Sequence, residues 1–143
     1  MTPAASNGIA LEGGARVAAA ELRALRRAAG WADVDASDDD VRAAVERTWN
    51  VAARDADRRV VALARVLDDG LFYATLWDML VLPQFRGRGL GTRMLELVLD
   101  HCRDRQIVSL VATPAGRPLY ERAGFSTESR GSVAMLLRPC NVR

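Results

Sequence analysis

A chain of 143 residues, half of them hydrophobic and 27% charged, is long enough for one domain with its own core, and it carries no apolar run near the ~18 residues that span a bilayer. Its net charge of +2 provides no broad basic surface of the kind that holds nucleic acid. All 20 basic residues are arginine, which excludes Schiff-base chemistry by lysine, and the two cysteines, Cys102 and Cys140, have neither metal nor redox spacing.

The first residues, Met-Thr-Pro-Ala-Ala-Ser-Asn, lack the basic-then-apolar order of a secretion signal, so the chain is read as cytoplasmic. Residues 1–14 are small and polar with Gly13 and Gly14 adjacent, which suits a flexible tail, although Ile9 to Leu11 can form a remnant first strand. Apolar residues at 18, 22, 25 and 29 predict a helix from Val17 to Ala29, stopped by Gly30. Asp33, Asp35 and Asp38 to Asp40 lead into a second helix that Ser37 or Asp38 can cap. Carboxylates there complement the helix dipole, or form a rim that attracts a cationic amine.

Trp49 to Ala53 and Val60 to Val66 read as antiparallel strands joined by a polar turn, and Asp68-Asp-Gly70 turns the chain into a third strand, Leu71 to Leu82. Pro83 ends that strand, because it lacks an N–H and fixes its own φ. A helix from Leu90 to about Arg103 follows, apolar around more than one face. The continuous apolar run Ile107 to Ala112 predicts a buried strand parallel to the preceding one. A short helix over Pro114 to Ala123 stops at Gly124, and Phe125 onward with Ser132 to Leu137 predicts a closing hairpin. There is no repeat, and one domain over 1–143 is expected.

Between the third strand and its helix lies Arg86-Gly-Arg-Gly-Leu-Gly-Thr92. Glycines at 87, 89 and 91 let backbone turn sharply and lie against a ligand, and a helix N-terminus there offers free N–H groups to a phosphate. Arg86, Arg88 and Arg93 add cations. The spacing is neither that of a Walker loop nor that of the dinucleotide fingerprint. It does match Arg/Gln-x-x-Gly-x-Gly/Ala, through Arg86, Gly89 and Gly91, after Val-x-Pro at 81–83. With Pro118-Leu-Tyr-Glu-Arg-Ala-Gly-Phe125 downstream, the chain resembles the GNAT superfamily of N-acetyltransferases. Ala74 to Pro83, with Leu76-Trp77-Asp78, also resembles the matching segment of plant serotonin N-acetyltransferases and their bacterial relatives.

The resemblance implies an α/β (α+β) fold: a mixed, mostly antiparallel twisted sheet with a splayed parallel central strand pair, flanked by about four helices. It implies acetyl-CoA as cosubstrate and transfer of the acetyl group to a primary amine, with a small molecule such as an arylalkylamine or polyamine favoured. Backbone at Met79, Leu80 and Val81 would bind pantetheine and the acetyl carbonyl, and Arg86, Gly87, Arg88, Gly89, Leu90, Gly91 and Thr92 the pyrophosphate. It also implies homodimerisation, with no metal, nucleic acid or membrane partner. Alternatives are transfer to protein lysines or N-termini, and an acyl-CoA-binding module without catalysis.

Tyr120 falls where the family places a tyrosine near the coenzyme sulfur, and its phenol is a weaker acid than a thiol, as a proton donor to a leaving thiolate must be. The other reading of Tyr120 is an aromatic packing on the sheet. Asp78 stands in an otherwise apolar strand, sharing a period-two face with Ala74, Leu76 and Leu80. It is either a general base for the ammonium substrate or an acceptor of backbone or arginine hydrogen bonds at the splay, and water chains also deprotonate substrates in this family. His101 is read as a surface or packing residue, Trp31 and Trp49 as core or edge aromatics, and Trp77 as either a packing aromatic, the favoured reading, or a wall of the acceptor pocket. Thr113-Pro-Ala-Gly116 stands where many relatives place a coenzyme-touching asparagine.

Overall fold

A computed structural model describes residues 8–128 and 131–137. The chain divides at Val111/Ala112 into two units. The first contains strand β1 (Ala10–Gly13), helices α1 (Ala19–Ala28) and α2 (Asp38–Glu46), strands β2 (Trp49–Arg54), β3 (Val60–Asp68) and β4 (Tyr73–Val81), a 3₁₀ turn over Pro83–Phe85, helix α3 (Leu90–His101) and strand β5 (Ile107–Leu110). The second contains helix α4 (Arg117–Arg122). The sheet order is β1-β2-β3-β4-β5, antiparallel throughout except for the parallel pair β4–β5.

The expected tail gives way to structure at Ala10: Leu11 pairs with Ala53 of β2 and is buried. Helix α1 ends as its sequence predicts, with Gly30 at φ +76°. The Trp31 N–H reaches the Arg26 carbonyl (2.9 Å) and the Gly30 N–H that of Arg27 (3.0 Å). This left-handed termination satisfies the last carbonyls and sets Arg26 in the final turn. Ser37 caps α2, its hydroxyl accepting from the Asp40 N–H at 3.1 Å. Asp33 and Asp38 bind Arg23 of α1, so these two carboxylates of the acidic cluster fasten the α1–α2 connection.

Strand β4 begins two residues later than its apolar run because Asp69 Oδ1 accepts the N–H groups of Leu71, Phe72 and Tyr73 at 2.8, 2.7 and 3.0 Å. These bonds also hold the Asp69 carboxyl below its ordinary range. One face of the sheet packs Leu63 and Leu80 with Leu22 and Leu25 of α1 and Val41 and Val45 of α2. Helix α3 contacts β1 to β4 through Met94, Leu95 and Val98, none of which belongs to that cluster, so it covers the opposite face.

Three expectations are corrected. Strand β5 is parallel to β4 but is not buried: Ile107 is more than half exposed, because among the described residues β5 is the edge of the sheet and an apolar run reads the same at an edge as in the middle. The last helix begins at Arg117, since the Thr113 carbonyl first accepts the Gly116 and Arg117 N–H groups in a turn. No closing hairpin forms among the described residues. Residues 125–128 and 131–137 contain no strand, and Met135 is 87% exposed. An apolar run becomes a strand only where another strand accepts its hydrogen bonds.

Candidate active site

The register of β3 against β4 slips by one residue between Leu63/Leu80 and Arg65/Trp77, so Asp78 and Met79 together face Ala64. This is a β-bulge, and Asp78 supplies its left-handed residue at φ +50°. Aspartate is among the few side chains that adopt this conformation, though at a cost. The bulge overturns the simple alternation expected along the strand. By register, Leu80 shares a face with Leu63 and Arg65, whereas Leu76 lies on the face of Val66. Asp78 is therefore turned away from Leu76, toward α1.

There its carboxylate, 7% exposed, meets two guanidiniums: Arg26 Nη1 donates to Oδ1 at 2.8 Å and Arg65 Nη1 to Oδ2 at 2.6 Å. The arginine-acceptor reading of Asp78 thus describes its contacts, and each oxygen keeps lone-pair capacity for a further donor. Arg65 also points Nε to Thr48 Oγ1 and Nη2 to the Ala44 carbonyl, each at 3.4 Å. Beside this triad lies a cavity of about 230 Å³ lined by Arg26, Thr48, Arg65, Leu67, Trp77 and Asp78. Trp77, 42% exposed, forms one wall.

Arg26 and Arg65 were missed in the sequence. A signal existed for Arg65, the one charge inside the run Val60 to Val66, because a buried carboxylate and a strand arginine are each expensive unless paired. Arg26 gave none: it lies 52 residues from Asp78, on a helix whose rotation only packing sets.

Strand β4 pairs with β5 only from Tyr73 to Leu76, yet runs on to Val81. Among the described residues its pairing beyond Leu76 is with β3 alone, which leaves the other edge of Trp77 to Val81 open to an added extended chain. Met79, Leu80 and Val81, the residues expected at pantetheine, lie on that segment. The strand then enters the glycine loop. Arg86 Nε donates to the Val81 carbonyl at 2.9 Å, and the Arg88 guanidinium lies 5.3 Å from the Phe85 ring centroid. Gly87 and Gly89 both have φ +73°, and a Cβ on either would meet nothing within 4 Å. Gly89 is the N-cap of α3, and the first intrahelical bond is Arg93 N–H to its carbonyl, so the N–H groups of Leu90, Gly91 and Thr92 precede any intrahelical acceptor. Loop residues 86–89 are exposed and Leu90 is buried. The arrangement suits an anionic ligand.

Tyr120 belongs to the second unit, buried in α4, with the Phe125 ring edge-on at 6.0 Å. Burial pushes its phenol pKa up, which keeps it protonated at neutral pH. Thr113 Oγ1 accepts the Gly116 N–H at 3.1 Å. His101 stacks on Trp49 with centroids 4.0 Å apart and its Nε2 lies 2.8 Å from Asp68, which Arg105 also grips; this is a packing role. Trp31 lies under the Arg26 guanidinium at 5.2 Å. Cys102 is buried, which raises its thiol pKa, and Cys140 lies outside the described residues. No helix among the described residues is long and apolar enough to cross a membrane.

Comparison with known proteins bears on the family and the fold. A protein of Pyropia yezoensis called uncharacterized N-acetyltransferase ycf52 is 31% identical over 91 residues, covering 62% of this chain and 52% of that one. This chain therefore spans about half that relative's length. A GNAT family acetyltransferase from Streptococcus pneumoniae has the same fold, with a TM-score of 0.77 at 22% identity over 91% of this chain and 97% of its own. The structure of a predicted acetyltransferase with acetyl-CoA from Clostridium acetobutylicum matches with a TM-score of 0.65 at 17% identity, over 90% of this chain and 96% of that one. These two likenesses bear on the fold alone. The family model for the acetyltransferase (GNAT) family matches residues 15–125, and the chain belongs to that family.

Proposed function

We propose that this protein transfers the acetyl group of acetyl-CoA to the primary amine of a small molecule by direct attack in a ternary complex. The observation that carries the reading is the continuity of β4: a strand segment with an open edge, Trp77 to Val81, leads into a glycine loop and the N-terminus of α3. Pantetheine would pair with backbone at Met79, Leu80 and Val81. The pyrophosphate would sit on residues 86–92, with Arg86 and Arg88 as side-chain cations and the Leu90, Gly91 and Thr92 N–H groups as backbone donors.

The amine must be neutral to attack, since only then does nitrogen have a lone pair. Its proton leaves to Asp78, through a lone pair that the two arginines do not occupy, or by way of a water. Nitrogen then bonds to the thioester carbon, the carbonyl oxygen takes the charge beside backbone donors at the bulge, and the carbon–sulfur bond breaks. The thiolate takes its proton from Tyr120. The rate gain comes chiefly from holding two reactants in line, with electrostatic help at the oxygen.

Thiol release from acetyl-CoA, followed against a panel of small amines and a lysine peptide beside a calorimetric acetyl-CoA titration, tests the reading. Release that depends on a small amine is the expected result. Acetyl-CoA binding without release for any acceptor would move the protein to the non-catalytic reading, and release with the peptide alone to protein acetylation. The cavity beside Asp78, of about 230 Å³, supports a small-molecule acceptor.

A further inference from the structure

The charge of the acceptor cavity narrows the acceptor itself. Its ionisable lining consists of two guanidiniums, Arg26 and Arg65, against the single carboxylate of Asp78, an excess of one positive charge. A simple ammonium entering this cavity meets that excess, and a polyamine meets it more than once. None of the acidic-rim carboxylates considered from the sequence lines the cavity, and Asp33 and Asp38 are committed to Arg23 and Asp39 to Arg42.

The two arginines also differ in what they have left to donate. Arg65 has a partner at Nε, Nη1 and Nη2. Arg26, among the described residues, makes one hydrogen bond, from Nη1 to Asp78. Its Nε is buried without any partner. A guanidinium has five donors in a fork suited to a carboxylate or phosphate, and since Nε is closed to solvent, the Arg26 donors within reach of a ligand are the Nη hydrogens that Asp78 does not use. The stack on Trp31 holds the guanidinium plane in place. Trp77 and Leu67, both about half exposed, add apolar wall. The cavity, of about 230 Å³ and partly open to solvent, has room for a small ligand.

The geometry points to an acceptor of amino-acid size that carries an anionic oxygen group together with its primary amine: Arg26 takes the anion, Trp77 and Leu67 flank the apolar body, and the amine is directed to the bulge at Asp78. This inference rests on the acetyl-transfer reading for its reaction but not for its ligand. It differs from the arylalkylamine or polyamine favoured by resemblance, because the positive excess at the cavity is set by a residue of α1 that the motif does not include.

Matched pairs of amines test it: phenylalanine against phenethylamine, and phosphoethanolamine against ethanolamine, each followed by thiol release and by calorimetric binding in the presence of acetyl-CoA. The anionic member of at least one pair should be preferred by about tenfold in kcat/KM, equivalent to ~1.4 kcal/mol, mainly through KM. Which pair shows the effect separates a carboxylate from a phosphate ligand. In Arg26→Gln the preference should fall below about twofold, and acetyl-CoA titration of the same variant checks that it is folded. Equal use of both members of both pairs, or an unchanged preference in a folded Arg26→Gln, would overturn the inference. If no amine is acetylated, calorimetry still decides: selective binding of the anionic member sustains the ligand class while the transfer reading fails, and unselective or absent binding sinks the ligand class too.

Discussion

Tyr120 combines burial with its proposed role as the acid. Its phenol is held protonated by burial, and its ring packs edge-on against Phe125. Phenylalanine at this position keeps the ring and loses only the hydroxyl. Tyr120→Phe should therefore leave the thermal midpoint nearly unchanged and lower kcat by about 100-fold, with the KM for acetyl-CoA within about twofold, in steady-state assays where chemistry limits the rate. The sign of the pH effect follows from the acid role. The donor must be protonated and its pKa is raised, so wild-type turnover should fall only above about pH 10, and Tyr120→Phe should lack that alkaline limb. Full turnover by the variant would remove Tyr120 from the chemistry. The motif around Tyr120 was readable in the sequence because its residues are consecutive. Arg26 was not, because its partnership with Asp78 exists only once α1 packs on the sheet.

The loop between β4 and α3 works through backbone conformation. Gly89 at φ +73° caps α3, and its missing Cβ faces open space. An L-residue there costs about 1–2 kcal/mol in backbone strain and also fills the space assigned to the pyrophosphate. Gly89→Val should lower stability by that amount in urea titration and raise the acetyl-CoA Kd more than about tenfold by calorimetry, beyond what strain alone produces. Undiminished affinity would move the coenzyme elsewhere. Existence and type were legible for α1, α2, α3 and strands β2 to β4, where periodicity, caps and turn residues agree. The bulge was not legible as a feature of this strand. Alternation along Ala74 to Leu80 looks unbroken in sequence, and the extra residue appears only when β4 is laid against β3. The closing hairpin failed for a related reason: Ser132 to Leu137 is strand-like in composition, but pairing decides strands.

Across the whole molecule, a contribution to acid stability is expected from an ion cluster away from the proposed chemistry. Arg105 donates to both oxygens of Asp68 at 2.6 and 2.8 Å, the Gly70 N–H donates at 2.7 Å and His101 completes the set. The bonds from Arg105 do most to hold the Asp68 carboxyl well below its ordinary range. The native state therefore binds fewer protons than the unfolded chain. Its advantage is full above the unfolded pKa of about 4 and is lost as pH falls through and below that value. Asp68→Asn should destabilise the protein at pH 7, since it leaves the Arg105 guanidinium without its anion, and the difference from wild type in urea unfolding should shrink by pH 3. An unchanged difference across that range would show that Asp68 does not control the acid limb. By itself the sequence determined the family, the order of most elements and the glycine loop, because these depend on local periodicity, turn chemistry and spacing along the chain. Only the tertiary structure decided the turn of Asp78 toward α1, the open edge of β4 beyond Leu76 and the positive excess of the cavity, because each depends on strand register and on contacts between residues far apart in sequence.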